Sequence, residues 1–150
     1  MSLLAPADQD KLRETFNQMS RRVRLLFFTQ SIGCETCTET RTILDELPAL
    51  SDKIAVEEVN FVLEKEKAAQ YGVDRVPAIA IAYEDAAGGN GAARDSRIRF
   101  LGAPAGYEFI SLVQAVLLAG GRPSGLSEAT RRKLEALDRP LTMQVFTTPT

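Results

Sequence analysis

The sequence predicts an α/β fold: a four-stranded mixed sheet flanked by helices, then a C-terminal linker helix and a stray strand. Three observations carry this reading. Strand-like and helix-like patterns alternate as α-β-α-β-α-β-β-α up to residue 119, and a βαβ unit followed by a ββα unit builds such a sheet. Residues 23–29 form a near-continuous apolar run around Leu25, Leu26, Phe27 and Phe28, which suits a central strand covered on both faces. The only two cysteines, Cys34 and Cys37, fall at C-x-x-C spacing between that run and a helical stretch.

The elements follow in order. Leu12, Phe16 and Met19 recur at i, i+4 and i+7, and Asp8 or Asp10 serves as an early acidic cap, so the first helix is expected over 8–19. After the strand at 23–29, a second helix is expected over 38–47, holding Ile43, Leu44 and Leu47 and ending before Pro48. Residues 54–59 read as the second strand, with Glu57 and Glu58 unusual for a buried position. A short helix over 64–71 is closed by Gly72 at its C′ position. Val76 and Pro77 open a third strand at 78–83. Residues 84–96, with Gly88, Gly89, Asn90 and Gly91, read as a long polar hairpin loop. The fourth strand, 97–101, alternates polar and apolar residues as an edge strand does. A strongly apolar helix spans 107–119, and Ser127 caps a further helix reaching Leu137. Residues 141–148 make a final strand-like run. This divides the chain into a unit at 1–121 and an appendage at 122–150.

Composition narrows the function. The 150 residues are 45% hydrophobic, enough for one cored domain. A net charge of −2 argues against nucleic acid or an anionic membrane as partner, and no apolar run reaches the length of a membrane span. The N-terminus has no basic segment followed by an apolar one, so no secretion signal is read and a cytoplasmic location is expected. In that compartment a C-x-x-C pair points to catalysis or redox sensing more than to a structural bridge. With no histidine and no third cysteine, a zinc site would need a second chain or an outside thiol, and no metal or cofactor is expected.

A C-x-x-C at the head of a helix has a specific chemistry. Cysteines at i and i+3 of one turn are close enough to close a disulfide with little backbone movement. Unpaired amides and the helix dipole favour a thiolate at Cys34, the expected nucleophile, while Cys37 is the expected resolving thiol. Glu35 and Thr36, between the sulfurs, are the tuning positions. The Glu35 carboxylate opposes thiolate formation and so predicts a reducing poise; capping the helix is its alternative role. Val76 and Pro77 form the second signal. A cis bond there would turn the chain toward the cysteines and leave the Val76 backbone to pair with a substrate segment; a trans proline opening an edge strand is the alternative. Glu57 and Glu58 are the third: one of them, pointing inward under Cys37, would relay a proton to or from the resolving thiol, whereas a solvent-facing strand end, the reading preferred for Glu58 over Glu57, would do nothing.

Cys34–Cys37, Val76-Pro77 and the element order resemble the thioredoxin fold. Phe16 to Met19, Tyr71 to Ala78 and especially the G-x-P-A-G-x-E-F segment at 102–109 resemble the N-terminal half of the protein disulfide oxidoreductases, glutaredoxin-like proteins with two thioredoxin-like units in tandem. The resemblance implies a cis Val76-Pro77 bond, Cys34 and Cys37 as the N-terminal redox pair, and Glu57 at the position of a glutamate near the buried disulfide. It implies dithiol–disulfide exchange on disulfide-containing protein substrates, with a thioredoxin-reductase-like electron donor. Residues 141–150 resemble the first strand of a second unit, whose own C-x-x-C does not follow, so the chain reads as an N-terminal half. A strand lacking its sheet is expected to fold back, stay disordered, or pair with another copy into a homodimer. Rival readings are an electron-relay domain for a separate flavin disulfide reductase, a non-catalytic binding module with the cysteines as a staple, and a glutathione-assisted iron–sulfur site shared by two chains.

Overall fold

The computed structural model describes residues 4–85 and 93–147. Its elements are α1 (Pro6–Asn17), β1 (Arg22–Thr29), α2 (Cys37–Asp45), β2 (Ile54–Asn60), α3 (Lys65–Gln70), β3 (Ala78–Glu84), β4 (Arg94–Leu101), α4 (Tyr107–Ala119) and α5 (Glu128–Glu135). Among the described residues they form a four-stranded sheet in the order β2-β1-β3-β4. β1 runs parallel to β2 and antiparallel to β3, and β4 is antiparallel to β3. This is the predicted mixed sheet.

Alternation along β1 splits the core into two layers. Val23, Leu25 and Phe27 face Phe16 of α1, Leu44 of α2, and Leu112, Val116 and Leu117 of α4, together with Ile79 and Ile81 of β3. Leu26 and Phe28 face the other way, onto Ala68 of α3, Val59, Val73 and three small residues of β3, Ala78, Ala80 and Ala82. The apolar run of β1 is therefore continuous because both of its faces are covered.

The helix ends show local causes. α1 begins two residues earlier than the acidic-cap reading, because Pro6 occupies its first turn; Ala5 is the N-cap and makes no side-chain cap bond. Asp8 instead sits in the first turn, where its charge complements the helix dipole. Gly72 ends α3 as expected, at φ +64°, with the Val73 N–H donating to the Ala68 carbonyl at 2.8 Å. Ser127 caps α5 by accepting from the Thr130 N–H.

Two predicted segments differ. β3 runs to Glu84 and β4 starts at Arg94, so both hairpin strands extend into the predicted loop. The Gly88–Gly91 stretch of that loop lies outside the described residues. β4 shifts register opposite Ala80 and Ala82, where Arg97 takes φ +65° as a bulge. The expected strand at 141–148 is not formed over 141–147: these residues have no regular structure and are all exposed. Their apolar alternation pairs with neither edge of the sheet, and alternation alone does not make a strand. No residue of α5 is buried.

Candidate active site

β1 delivers the chain to the site. After Thr29, the Gln30 side-chain amide donates to the Ile32 carbonyl at 2.8 Å, and Gly33 turns the backbone at φ +73°. Cys34 follows, half-buried, and Cys37 is joined to it by a disulfide with a Cα–Cα distance of 5.5 Å. Cys37 is only 6% exposed. It is the first residue of α2, with Thr36 as the N-cap. Cys34 thus precedes the helix by three residues, one turn further out than a nucleophile on the helix itself. The reason lies at Thr36, whose carbonyl accepts the first bond of the helix from the Thr40 N–H (3.0 Å) and a second from the Thr40 hydroxyl (2.8 Å). Backbone N–H groups ahead of Thr40 have no acceptor within the helix and open toward the disulfide end. Glu35 is exposed, between the two sulfurs in sequence.

α2 is held down by one face. Cys37, Thr40, Ile43 and Leu44 are its buried residues, at the i, i+3, i+6 and i+7 positions of a single stripe. That stripe anchors the helix over Phe27 and the rest of the first core layer.

Val76-Pro77 is a cis peptide bond, as the resemblance implied. Ala78 pairs with Phe28 across β1 and β3, so Pro77 lies at the sheet end where β1 hands over to the cysteine loop. The Pro77 carbonyl accepts from the Gly102 N–H at 2.9 Å, which ties the loop before α4 to the same end. Val76 packs against both core layers.

Glu57 does not join this group. It pairs with Leu26 in register, so its side chain is on the α3 face, opposite to the α2 face. There it is bonded by Lys67 of α3 and by Arg24 at 3.2 Å. The Lys67 ammonium, with Arg24 behind it, holds the Glu57 carboxyl below the usual carboxylate range, the reverse of a buried proton carrier. The glutamate on the α2 face is Glu58, in register with Phe27 and bonded to Arg41 of α2. Thr29, Gln30, Ser31, Cys34, Cys37, Thr38, Arg41, Glu58 and Asn60 line a polar cleft of about 140 Å³ beside the disulfide. Parity would have found it: Ile54 and Val56 share their face of β2 with Glu58, not Glu57.

No group of three or more metal-ligating side chains exists among the described residues, and no helix there is long and apolar enough to cross a membrane.

The chain matches no family model. It is 35% identical over 92 residues to a probable thioredoxin of Methanothermobacter thermautotrophicus, covering 61% of this chain and 92% of that protein. The chain belongs to the thioredoxin family. Two solved structures are similar to this thioredoxin-family chain over most of its length. Its backbone matches an N-terminal domain of the alkyl hydroperoxide reductase AhpF of Enterococcus faecalis with a TM-score of 0.76 and 27% identity, over 91% of this chain. It matches a protein disulfide oxidoreductase of Aeropyrum pernix with a TM-score of 0.71 and 25% identity, over 89%. The chain spans 62% of the first of these structures and 55% of the second. With the Cys34–Cys37 pair closed at the helix head, this member of the family is a thiol–disulfide oxidoreductase.

Proposed function

We propose that Cys34 is the attacking nucleophile and Cys37 the resolving thiol in dithiol–disulfide exchange on disulfide-containing proteins. The observation that carries this is the contrast between the two sulfurs: Cys37 is buried at the first position of α2, while Cys34 is the more accessible one, ahead of the helix. In the reduced form, the Cys34 thiolate attacks one sulfur of the substrate disulfide and expels the other as a thiolate. Cys37, deprotonated, then attacks the Cys34 sulfur and releases the second substrate thiol. The substrate gains two electrons and two protons, and Cys34–Cys37 closes. Val76, at the same end of the sheet, supplies backbone for an extended substrate segment, and Pro77 holds that segment's approach beside the disulfide. Glu35 and Thr36, between the sulfurs, tune the couple.

The pair needs a reductant. The likeness to an alkyl hydroperoxide reductase domain supports a flavin reductase of the thioredoxin-reductase kind as electron donor. We assign residues 1–121 to the redox unit and 122–150 to an appendage, a division supported by the lack of buried residues in α5. A cytoplasmic location fits a reducing function, and the exposed, alternating Leu141, Met143 and Val145 fit pairing between two copies.

Insulin reduction with dithiothreitol as donor tests the reading. The wild type is expected to accelerate precipitation of the insulin B chain, and Cys34→Ser to be inactive. A wild type no faster than Cys34→Ser would make the cysteines a structural staple.

A further inference from the structure

Arg41 and Glu58 have no part in the exchange proposed above, yet both line the cleft that holds Cys34 and Cys37. Their placement follows from two periodicities. Arg41 lies four residues after Cys37, one helical turn further along α2 and on the same side. Glu58 is carried to that side of β2 by its register with Phe27. The guanidinium sits over the Phe27 ring, 5.8 Å from its centroid, and bonds the Glu58 carboxylate. Hydrogen bonding by the Glu58 carboxylate raises the Arg41 pKa above its ordinary value.

We propose that Arg41 and Glu58 form a charge pair that sets the redox poise of the Cys34–Cys37 couple, with Arg41 as a positioning residue that pins the Glu58 carboxylate and offsets its field at the sulfurs. This rests on the exchange reaction proposed above and deepens it. A thiolate beside the cleft is disfavoured by the Glu58 charge and favoured by the Arg41 charge. With both present, the two contributions oppose. Glu35 and Glu39 are the other charged groups near the helix head; both are exposed, and neither is bonded to Arg41. The pair is about half-exposed on each side, so its effect at the sulfurs is a modulation, not a switch.

The test is the equilibrium of the protein disulfide with glutathione: protein disulfide plus two glutathione thiols gives protein dithiol plus glutathione disulfide. It is read by thiol alkylation at about pH 8.5, where the thiolate is well populated. Glu58→Gln is expected to shift the equilibrium toward the dithiol on the order of fourfold, and Arg41→Gln toward the disulfide by a similar factor. The double variant returns to within twofold of wild type, and Arg41→Lys, which keeps the charge, stays near wild type. Urea unfolding of each variant shows that the fold is intact. Single-variant shifts of the same sign, or none beyond about twofold, would overturn the proposal. Because the glutathione equilibrium is measured without a protein substrate, that failure is distinct from failure to reduce insulin, which would count against the exchange reading itself.

Discussion

Breaking the Cys34–Cys37 bond should destabilise the fold by a small, calculable amount, and the sign of that change says whether the module is a reductant. The cysteines are separated by 3 in sequence, so the bond closes a loop of four residues. On the chain-entropy account, closing a loop of that size costs the unfolded state about 1.9 kcal/mol at 25 °C. The folded state adds little to the balance, because it already holds the two Cα atoms 5.5 Å apart, inside the range that disulfides adopt. The reduced form recovers some ground through its thiolate near the head of α2, roughly 0.5–1 kcal/mol. The oxidised form is then the more stable by about 1 kcal/mol, which by linkage makes the couple about 20 mV more reducing than the same C-x-x-C in an unfolded chain. Urea unfolding followed by circular dichroism, with and without dithiothreitol, measures the difference directly. The reduced midpoint is expected to fall by about 0.5–1 M. Protonating the thiolate removes its contribution, so at about pH 5 the gap should widen toward the full 1.9 kcal/mol. A reduced form as stable as the oxidised one, or more so, would refute the reasoning: the thiolate would then dominate and the couple would be an oxidant.

Three further outcomes follow from the packing and the charges. Leu44→Ala removes a fully buried side chain from the stripe that pins α2 and should cost about 3 kcal/mol in urea unfolding, whereas Leu134→Ala on the exposed α5 should cost under about 0.5 kcal/mol. Ending the chain after Arg122 should leave both the unfolding free energy and insulin reduction within error of wild type, since no described residue beyond that point is buried; a loss above about 1 kcal/mol would show that the appendage packs on the unit. Glu57, with its carboxyl held low by Lys67 and Arg24, contributes stability above its unfolded titration range that is lost as pH falls through its folded value. Glu57→Gln should therefore cost about 0.5 kcal/mol at pH 7, reduced by solvent screening, and progressively less as acid protonates the folded-state carboxyl, with the glutathione equilibrium unmoved.

Much of this site was legible in the residues. The apolar run of β1, the cysteine spacing after it, the proline before β3 and the bounds of α4 all carry strong local signals, and each is where the patterns put it. What the patterns misplaced depended on context beyond a few residues. Whether Glu57 or Glu58 faces the cysteines is a matter of strand parity, and reading the two glutamates as a pair hid the cue in Ile54 and Val56. Arg41 drew no attention because nothing near it in sequence is its partner; Glu58 is 17 residues away. The strand-like run expected at 141–148 shows the converse case: over 141–147 the alternation is present but pairs with no strand.

The central claim is the division of labour between the two sulfurs, and trapping of the mixed disulfide tests it most directly. Reduced Cys37→Ser, mixed with a disulfide-bonded substrate protein, is expected to accumulate a covalent adduct through Cys34 that dithiothreitol dissolves, while Cys34→Ser forms none. An adduct on Cys37 in the Cys34→Ser protein, with none in the reverse variant, would contradict the account.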